Sequence, residues 1–257
     1  MPTLDEKLQK SVDVIRDHIT DEGFVLSFSG GKDSSVLKHI IRTSFPGVPL
    51  RSMYIRSGLE GDFLIDFLSQ FHHDTEFIDP EVDVLEHMRS TGYLPTIKGP
   101  YCCHKVFAVG WSKLHNAARY SIQGVRHDDY WHAEENEWGI INEPEHSIVM
   151  QDGYHKILYP IFEWTDADVD EYIARHSIPL PPEYGMGERL YTCPLCCSMK
   201  IATKKAAVRM YPKLTAKYKT LCEEFWNKDP ELQKMYESPD AYWEMYLNSR
   251  STVTKPE

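Results

Sequence analysis

Apolar residues recur on one side of a helical wheel at Leu4, Leu8, Val12, Ile15 and Ile19, which predicts an amphipathic helix at the start of the chain. The pattern then changes period. Residues 24–28 form a short, nearly unbroken apolar run of the kind that makes a strand buried on both faces. Val36, Leu37, Ile40 and Ile41 return to helical spacing and predict a helix over 34–43, closed by the breakers Phe45-Pro46-Gly47. The alternation repeats. Residues 50–55 read as a second strand, and a helix capped near Asp62 carries Phe63, Leu64, Phe67, Leu68 and Phe71 on one face. A third strand over 75–78 precedes a short helix with Val84, Leu85 and Met88. After a loop rich in glycine and proline, a helix opening at Cys102-Cys103 is expected, then a fourth strand over 120–123. Residues 157–161 return towards the sheet. Thr165 and Asp168 have capping-box spacing before Val169, Tyr172 and Ile173.

Strand and helix in strict alternation predict an α/β fold, a doubly wound parallel sheet. From about Lys200 the periodicity is helical only, so residues 1–200 are expected to form the sheet domain and 201–257 a C-terminal helical appendage. Residues 127–155 are polar and aromatic, with His127, His132, His146 and His155 scattered without metal-ligand spacing, and no element is assigned there. At 257 residues, 42% hydrophobic and 26% charged, the chain can bury a full core. A net charge of −11 and a pI near 5.5 argue against broad electrostatic attraction to nucleic acid, so such a substrate would come only through a partner. No apolar stretch is long enough to span a bilayer, and the first residues lack the apolar core of a signal peptide. A cytoplasmic protein with reduced cysteines is the expectation.

The chemistry concentrates after the first strand. Ser29-Gly30-Gly31-Lys32-Asp33-Ser34 places two glycines, a lysine and hydroxyls between a strand and a helix N-terminus, where free backbone N–H groups can meet a phosphate. Lys32 supplies a point charge. Asp33 is a candidate to hold magnesium or to cap the helix. The plainer alternative is an ordinary strand-to-helix corner capped by Asp33 or Ser34. The spacing is neither that of a Walker A loop nor that of the Gly-x-Gly-x-x-Gly dinucleotide turn. It resembles the PP-loop signature Ser-Gly-Gly-x-Asp-Ser of the ATP pyrophosphatases. That resemblance implies a loop gripping the pyrophosphate end of ATP while the α-phosphate is attacked and AMP transferred.

Of the six cysteines, Cys102 and Cys103 are adjacent, and Cys193 and Cys196 form Cys-Pro-Leu-Cys. Four thiolates from two such pairs can hold a metal centre; adjacent residues diverge too much for one tetrahedral zinc, whereas a 4Fe–4S cluster takes ligands at separate corners. The alternative is buried small hydrophobes. Cys197 is a spare ligand, a reactive thiol or packing, and Cys222 reads as core.

The loop, the tandem cysteines and the later Cys-x-x-Cys together resemble the phosphoadenosine phosphosulfate (PAPS) reductase family, in its cluster-bearing branch, over roughly residues 20–200. Gly124-Val125-Arg126 resembles that family's Gly-x-Arg turn, and residues 160–169 its Pro-Ile-x-x-Trp-Thr-x-x-Asp-Val segment. The resemblance implies an adenine nucleotide alpha hydrolase-like fold, with Ser29, Gly30, Gly31, Lys32, Asp33, Ser34, Gly124 and Arg126 on the nucleotide. It also implies Lys32 and Arg126 in catalytic roles, ATP with Mg2+ bound, and a 4Fe–4S cluster on Cys102, Cys103, Cys193 and Cys196. There are departures. The reductases' Glu-Cys-Gly-Leu-His segment is not in the sequence, the phosphate loop is intact where theirs tends to be degraded, and Arg56-Ser57-Gly58 stands where the family usually has Asp-Thr-Gly. These select an ATP-using, sulfur-handling enzyme served by a sulfur donor or thiol reductant protein. A sulfonucleotide reductase using Cys197, Cys222 or a partner's thiol is the second reading. A non-catalytic module holding nucleotide and cluster within a larger assembly is the third.

Overall fold

The computed structural model describes residues 2–92, 94–95, 110, 113–114, 117–127, 149–151, 155–186, 193–197 and 199–249. Its elements run α1 (Leu4–Arg16), β1 (Phe24–Ser27), α2 (Lys32–Ser44), β2 (Leu50–Ile55), α3 (Asp62–Phe71), β3 (Thr75–Ile78), α4 (Val84–Thr91), β4 (Tyr120–Ile122), β5 (Val149–Gln151) and β6 (His155–Leu158). Helices follow: α5 (Asp166–His176), α6 (Pro182–Gly185), α7 (Ile201–Met210), α8 (Pro212–Lys228), α9 (Pro230–Met235) and α10 (Pro239–Asn248).

Six strands form one sheet in the order β3-β2-β1-β4-β6-β5. β1 runs parallel to β2, with Phe24 opposite Leu50, and parallel to β4, with Leu26 opposite Ile122. β4 runs parallel to β6, and β5 closes the edge antiparallel to β6. The doubly wound parallel sheet expected from the alternation is therefore present, with one antiparallel edge strand that the polar stretch before residue 155 did not reveal. The order reverses between β1 and β4. At such a switch point the loops leaving two parallel strands diverge and open a crevice for a ligand.

The chain divides into two compact units. The first comprises Met1–Tyr54, Phe67–Ile78 and Trp111–Pro181. Its centre is apolar: Val25, Leu26, Ile122 and Leu158 of the sheet and Val36, Leu37, Ile40 and Ile41 of α2 are all fully buried. Each such side chain contributes about 1.5–3 kcal/mol. One buried polar chain crosses this unit: Trp164 Nε1 donates to Ser11 Oγ at 3.0 Å, and Ser11 Oγ donates to the Pro160 carbonyl at 2.7 Å. The capping box at α5 forms as the spacing predicts, Thr165 Oγ1 accepting from the Asp168 N–H. Burial raises the Asp168 carboxyl, but the Lys7 ammonium at 2.6 Å and the Thr165 donors outweigh it and hold it below the usual range.

The second unit comprises Ile55–Asp66, Asp79–Gly110 and Pro182–Glu257. Its core joins Val84, Met88 and Leu94 to the C-terminal helices through Tyr211, Tyr218, Tyr242, Trp243 and Tyr246. Gly61 is required here, because a Cβ would sit 2.1 Å from the Tyr211 ring. The same tyrosine donates to the buried Glu183 carboxylate at 2.8 Å. Gly92 ends α4 in the left-handed conformation, and Asp83 caps its start.

Candidate functional site

The turn between β1 and α2 is knitted by its own hydroxyls. Ser29 Oγ accepts from the Gly31 N–H at 3.2 Å and meets Ser34 Oγ at 3.1 Å, while Ser34 Oγ also donates to the Gly31 carbonyl at 3.1 Å. Gly30 sits at φ 75°, a conformation that favours glycine. Gly31 is the helix N-cap, with no side chain to satisfy the first-turn N–H groups. Neither Asp33 nor Ser34 caps α2; both lie inside its first turn. A 13-residue helix thus presents its positive end at a corner lined with hydroxyls.

The loop after β4 closes against this corner. At Gly124 a Cβ would lie 2.8 Å from the Asp33 carbonyl carbon and 2.9 Å from the Ser34 nitrogen, so only a glycine allows the approach. Two residues on, the Arg126 side chain is 7% exposed. Its Nε lies 2.9 Å from Asp33 Oδ1, a contact of charge more than of an aligned N–H. Its Nη1 donates to Asp166 Oδ1 at 2.7 Å. One guanidinium thereby ties the first turns of α2 and α5 at the switch point. Lys32 is paired with Asp170 on the exposed side of α5. Seven of the eight residues expected on the nucleotide, Ser29 to Ser34 and Gly124, lie together at this corner, and Arg126 lies immediately beside them.

Sequence reading missed the acidic partners, Asp166 and Asp170, which give no local signal. It also missed the groups behind α2. There Lys38, nearly buried, pairs with Asp74 at 2.8 Å and lies 4.5 Å above the Phe28 ring. Burial lowers its ammonium below the ordinary value, with Asp74 opposing.

In the second unit, Arg56 and Gly58 of the Arg56-Ser57-Gly58 turn line a cavity of about 450 Å3 with Glu60, Asp62 and Lys213. Gly58 has φ 78°, Ser57 Oγ accepts from the Leu59 N–H at 3.0 Å, and Arg56 pairs with Asp79 at 3.2 Å.

Of the four expected cluster ligands, Cys102 and Cys103 lie outside the described residues. Cys193 and Cys196 are thiols in one turn, closed by Cys196 N–H to the Cys193 carbonyl at 3.0 Å, with Cys197 adjacent. All three are half-buried. Among the described residues no group of three or more metal-ligating side chains converges. Cys222 is 1% exposed, and burial pushes its thiol up to about 12, which makes it a poor nucleophile at neutral pH. Among the described residues no helix is long and apolar enough to cross a membrane.

The model of the phosphoadenosine phosphosulfate reductase domain matches residues 23–221. The chain belongs to that family. Among curated proteins, this PAPS reductase-family chain is similar to sulfate adenylyltransferase subunit 2 of Agrobacterium fabrum, 25% identical over 193 residues that cover 65% of this chain and 59% of the relative. Sulfate adenylyltransferase subunit 2 1 of Chromohalobacter salexigens is 24% identical, covering 62% and 59%. The chain spans about three fifths of the length of these curated relatives. Among solved structures, the PAPS reductase of Candida auris in a phosphate complex has a TM-score of 0.51 at 11% identity, covering 73% of this chain and 93% of that one. The FMN adenylyltransferase of Candida glabrata with ATP has a TM-score of 0.50 at 14% identity, covering 74% and 62%. Both share the fold.

Proposed function

We propose that this family member binds ATP at the corner formed by residues 29–34 and 124–126 and transfers AMP to an oxygen of its substrate, ahead of sulfur transfer. The observation that carries the reading is the close approach of Gly124 to the first turn of α2, which leaves a serine- and glycine-lined turn beside a buried arginine. The names of the curated relatives support adenylyl transfer, and they make a sulfur oxyanion the first acceptor to try.

In that reaction an acceptor oxygen attacks the α-phosphorus, the bond to the bridging oxygen breaks, and pyrophosphate leaves with the electron pair. Charge grows on the departing phosphates. The Gly30 amide and the positive end of α2 are fixed in advance to receive it. Lys32 would exchange Asp170 for the phosphates, and Arg126, held by Asp33 and Asp166, would stand beside the α-phosphate. With the Asp33 carboxylate on Arg126, magnesium would enter on the phosphates more than on a carboxylate cage.

The thiol chemistry of the Cys193–Cys196 turn suits an iron–sulfur centre, and the reading places a 4Fe–4S cluster on these two with Cys102 and Cys103. Such a cluster, when bound, would supply a site for sulfur or electrons. A sulfur donor or thiol reductant protein and a second subunit are the partners this reading calls for, the latter from the relatives' designation as subunit 2.

The family's name favours one other reading, reduction of a sulfonucleotide with Cys197 or a partner's thiol as nucleophile. The two separate cleanly. Anaerobically prepared protein given ATP and candidate acceptors, sulfate first, should release pyrophosphate. Sulfite released from APS or PAPS with a thiol reductant and no ATP would select the reductase and overturn adenylyl transfer.

A further inference from the structure

Lys204 of α7 is a lysine with 0% exposure. Burying an ammonium is costly, and such groups are normally paired with a carboxylate. Among the described residues Lys204 has no carboxylate partner. Its Nζ donates to the Tyr246 carbonyl at 2.6 Å and the Ser249 carbonyl at 3.0 Å, at the end of α10, and lies 4.8 Å from the centre of the Tyr246 ring. Burial lowers its ammonium from the ordinary value, and the groups that oppose this are the thiols of Cys197 and Cys196. The same Tyr246 donates its hydroxyl to the Leu195 carbonyl at 2.6 Å. Leu195 is a buried residue between Cys193 and Cys196, and Cys193 and Cys197 pack against the core that contains Tyr246 and Trp243. The cysteine turn is therefore held through its own backbone by a helix that lies beyond residue 221, where the family match ends.

We propose that Tyr246 and Lys204 form a clamp for the thiolate centre, Tyr246 fixing the Cys193–Cys197 turn and Lys204 supplying a buried positive charge against the negative charge of the ligated thiolates. The proposal rests on the cluster reading above. It gives α10 a task in the site: both are positioning residues, neither a ligand. A carbonyl bond in the middle of a two-ligand turn sets the angle at which the two sulfurs leave it, and outer hydrogen bonds of this kind typically change metal retention 10–100-fold. A cation in a dry setting favours the reduced, more negative state of a cluster, so it raises the midpoint potential.

The test uses the full chain, purified and reconstituted anaerobically, as wild type, Tyr246→Phe and Lys204→Met. Readouts are iron and sulfide content, the rate of iron loss to a chelator, and the midpoint potential followed by absorbance and electron spin resonance. Tyr246→Phe should lose iron about tenfold faster. Lys204→Met should reduce at a more negative potential. Lys204→Met also removes the cap of α10, so Tyr246→Phe, which deletes one hydroxyl and keeps the ring, decides if the lysine variant fails to fold. Variants that match the wild type in both retention and potential overturn the clamp and leave the cluster reading standing. Wild-type protein without iron and sulfide overturns both.

Discussion

Arg126 Nε lies 2.9 Å from Asp33 Oδ1, joining the turn after β4 to the first turn of α2. Because the guanidinium also reaches Asp166, a single side chain sets the distance between two helix N-termini at the sheet's switch point. A lysine has one ammonium and no fork, so it cannot hold both carboxylates in this geometry. Arg126→Lys is expected to cost about 1–2 kcal/mol in denaturant unfolding and to weaken ATP binding about tenfold.

Gly124→Ala should be more damaging than a surface alanine. The added carbon would meet backbone atoms of Asp33 and Ser34, which cannot swing aside as a side chain would. A loss of about 1–3 kcal/mol in thermal or chemical unfolding is expected, with ATP affinity falling further because the shift occurs at the phosphate corner. Calorimetry on the variant checks both.

Much of this corner was legible in the sequence, and the reason is physical. The strands over Leu50–Ile55 and Thr75–Ile78 have the boundaries that their apolar runs predict, and the Thr165–Asp168 box declares itself over three residues. Gly124 marks a position where backbone must come close, and Gly30 one where φ is positive. Pairings between remote segments were not legible. Nothing local announces that Arg126 meets Asp166, that Lys32 meets Asp170, or that a lysine in α7 is buried beneath the end of α10. The edge strand β5 was missed because its surroundings are polar. The cap of α2 proved to be Gly31, where side-chain capping by Asp33 or Ser34 had been the plainer alternative.

Acid should destabilise the sheet unit through His72. Burial against Phe28 and Phe67, helped by the nearby Lys38 ammonium, pushes its imidazole down to about 4. The unfolded chain, with a histidine near 6.5, binds a proton in a range where the folded protein does not. Stability is therefore expected to be full above about pH 6.5 and to fall as pH drops towards 4, by at most about 3 kcal/mol from this group. His39, also lowered by burial and by His176, acts in the same sense. In urea titrations across that range, His72→Leu should show a shallower decline than the wild type.

Cys222 should behave as core. With its thiol pushed up to about 12, it is expected to resist alkylation at pH 8 in the folded, metal-free protein and to react only in denaturant. Cys222→Ser should leave ATP affinity and iron content unchanged, which peptide mapping and metal analysis can check. Loss of either would give this residue a role that its burial does not suggest.

The most direct measurement is calorimetric titration of ATP into the wild-type protein and into Lys32→Ala, with melting of both in the absence of nucleotide. Saturable binding that weakens at least about tenfold in the variant, with an unchanged melting temperature, is the predicted result. Equal affinity in the two proteins, or no binding to the wild type, would contradict the assignment of the β1–α2 corner as the phosphate site.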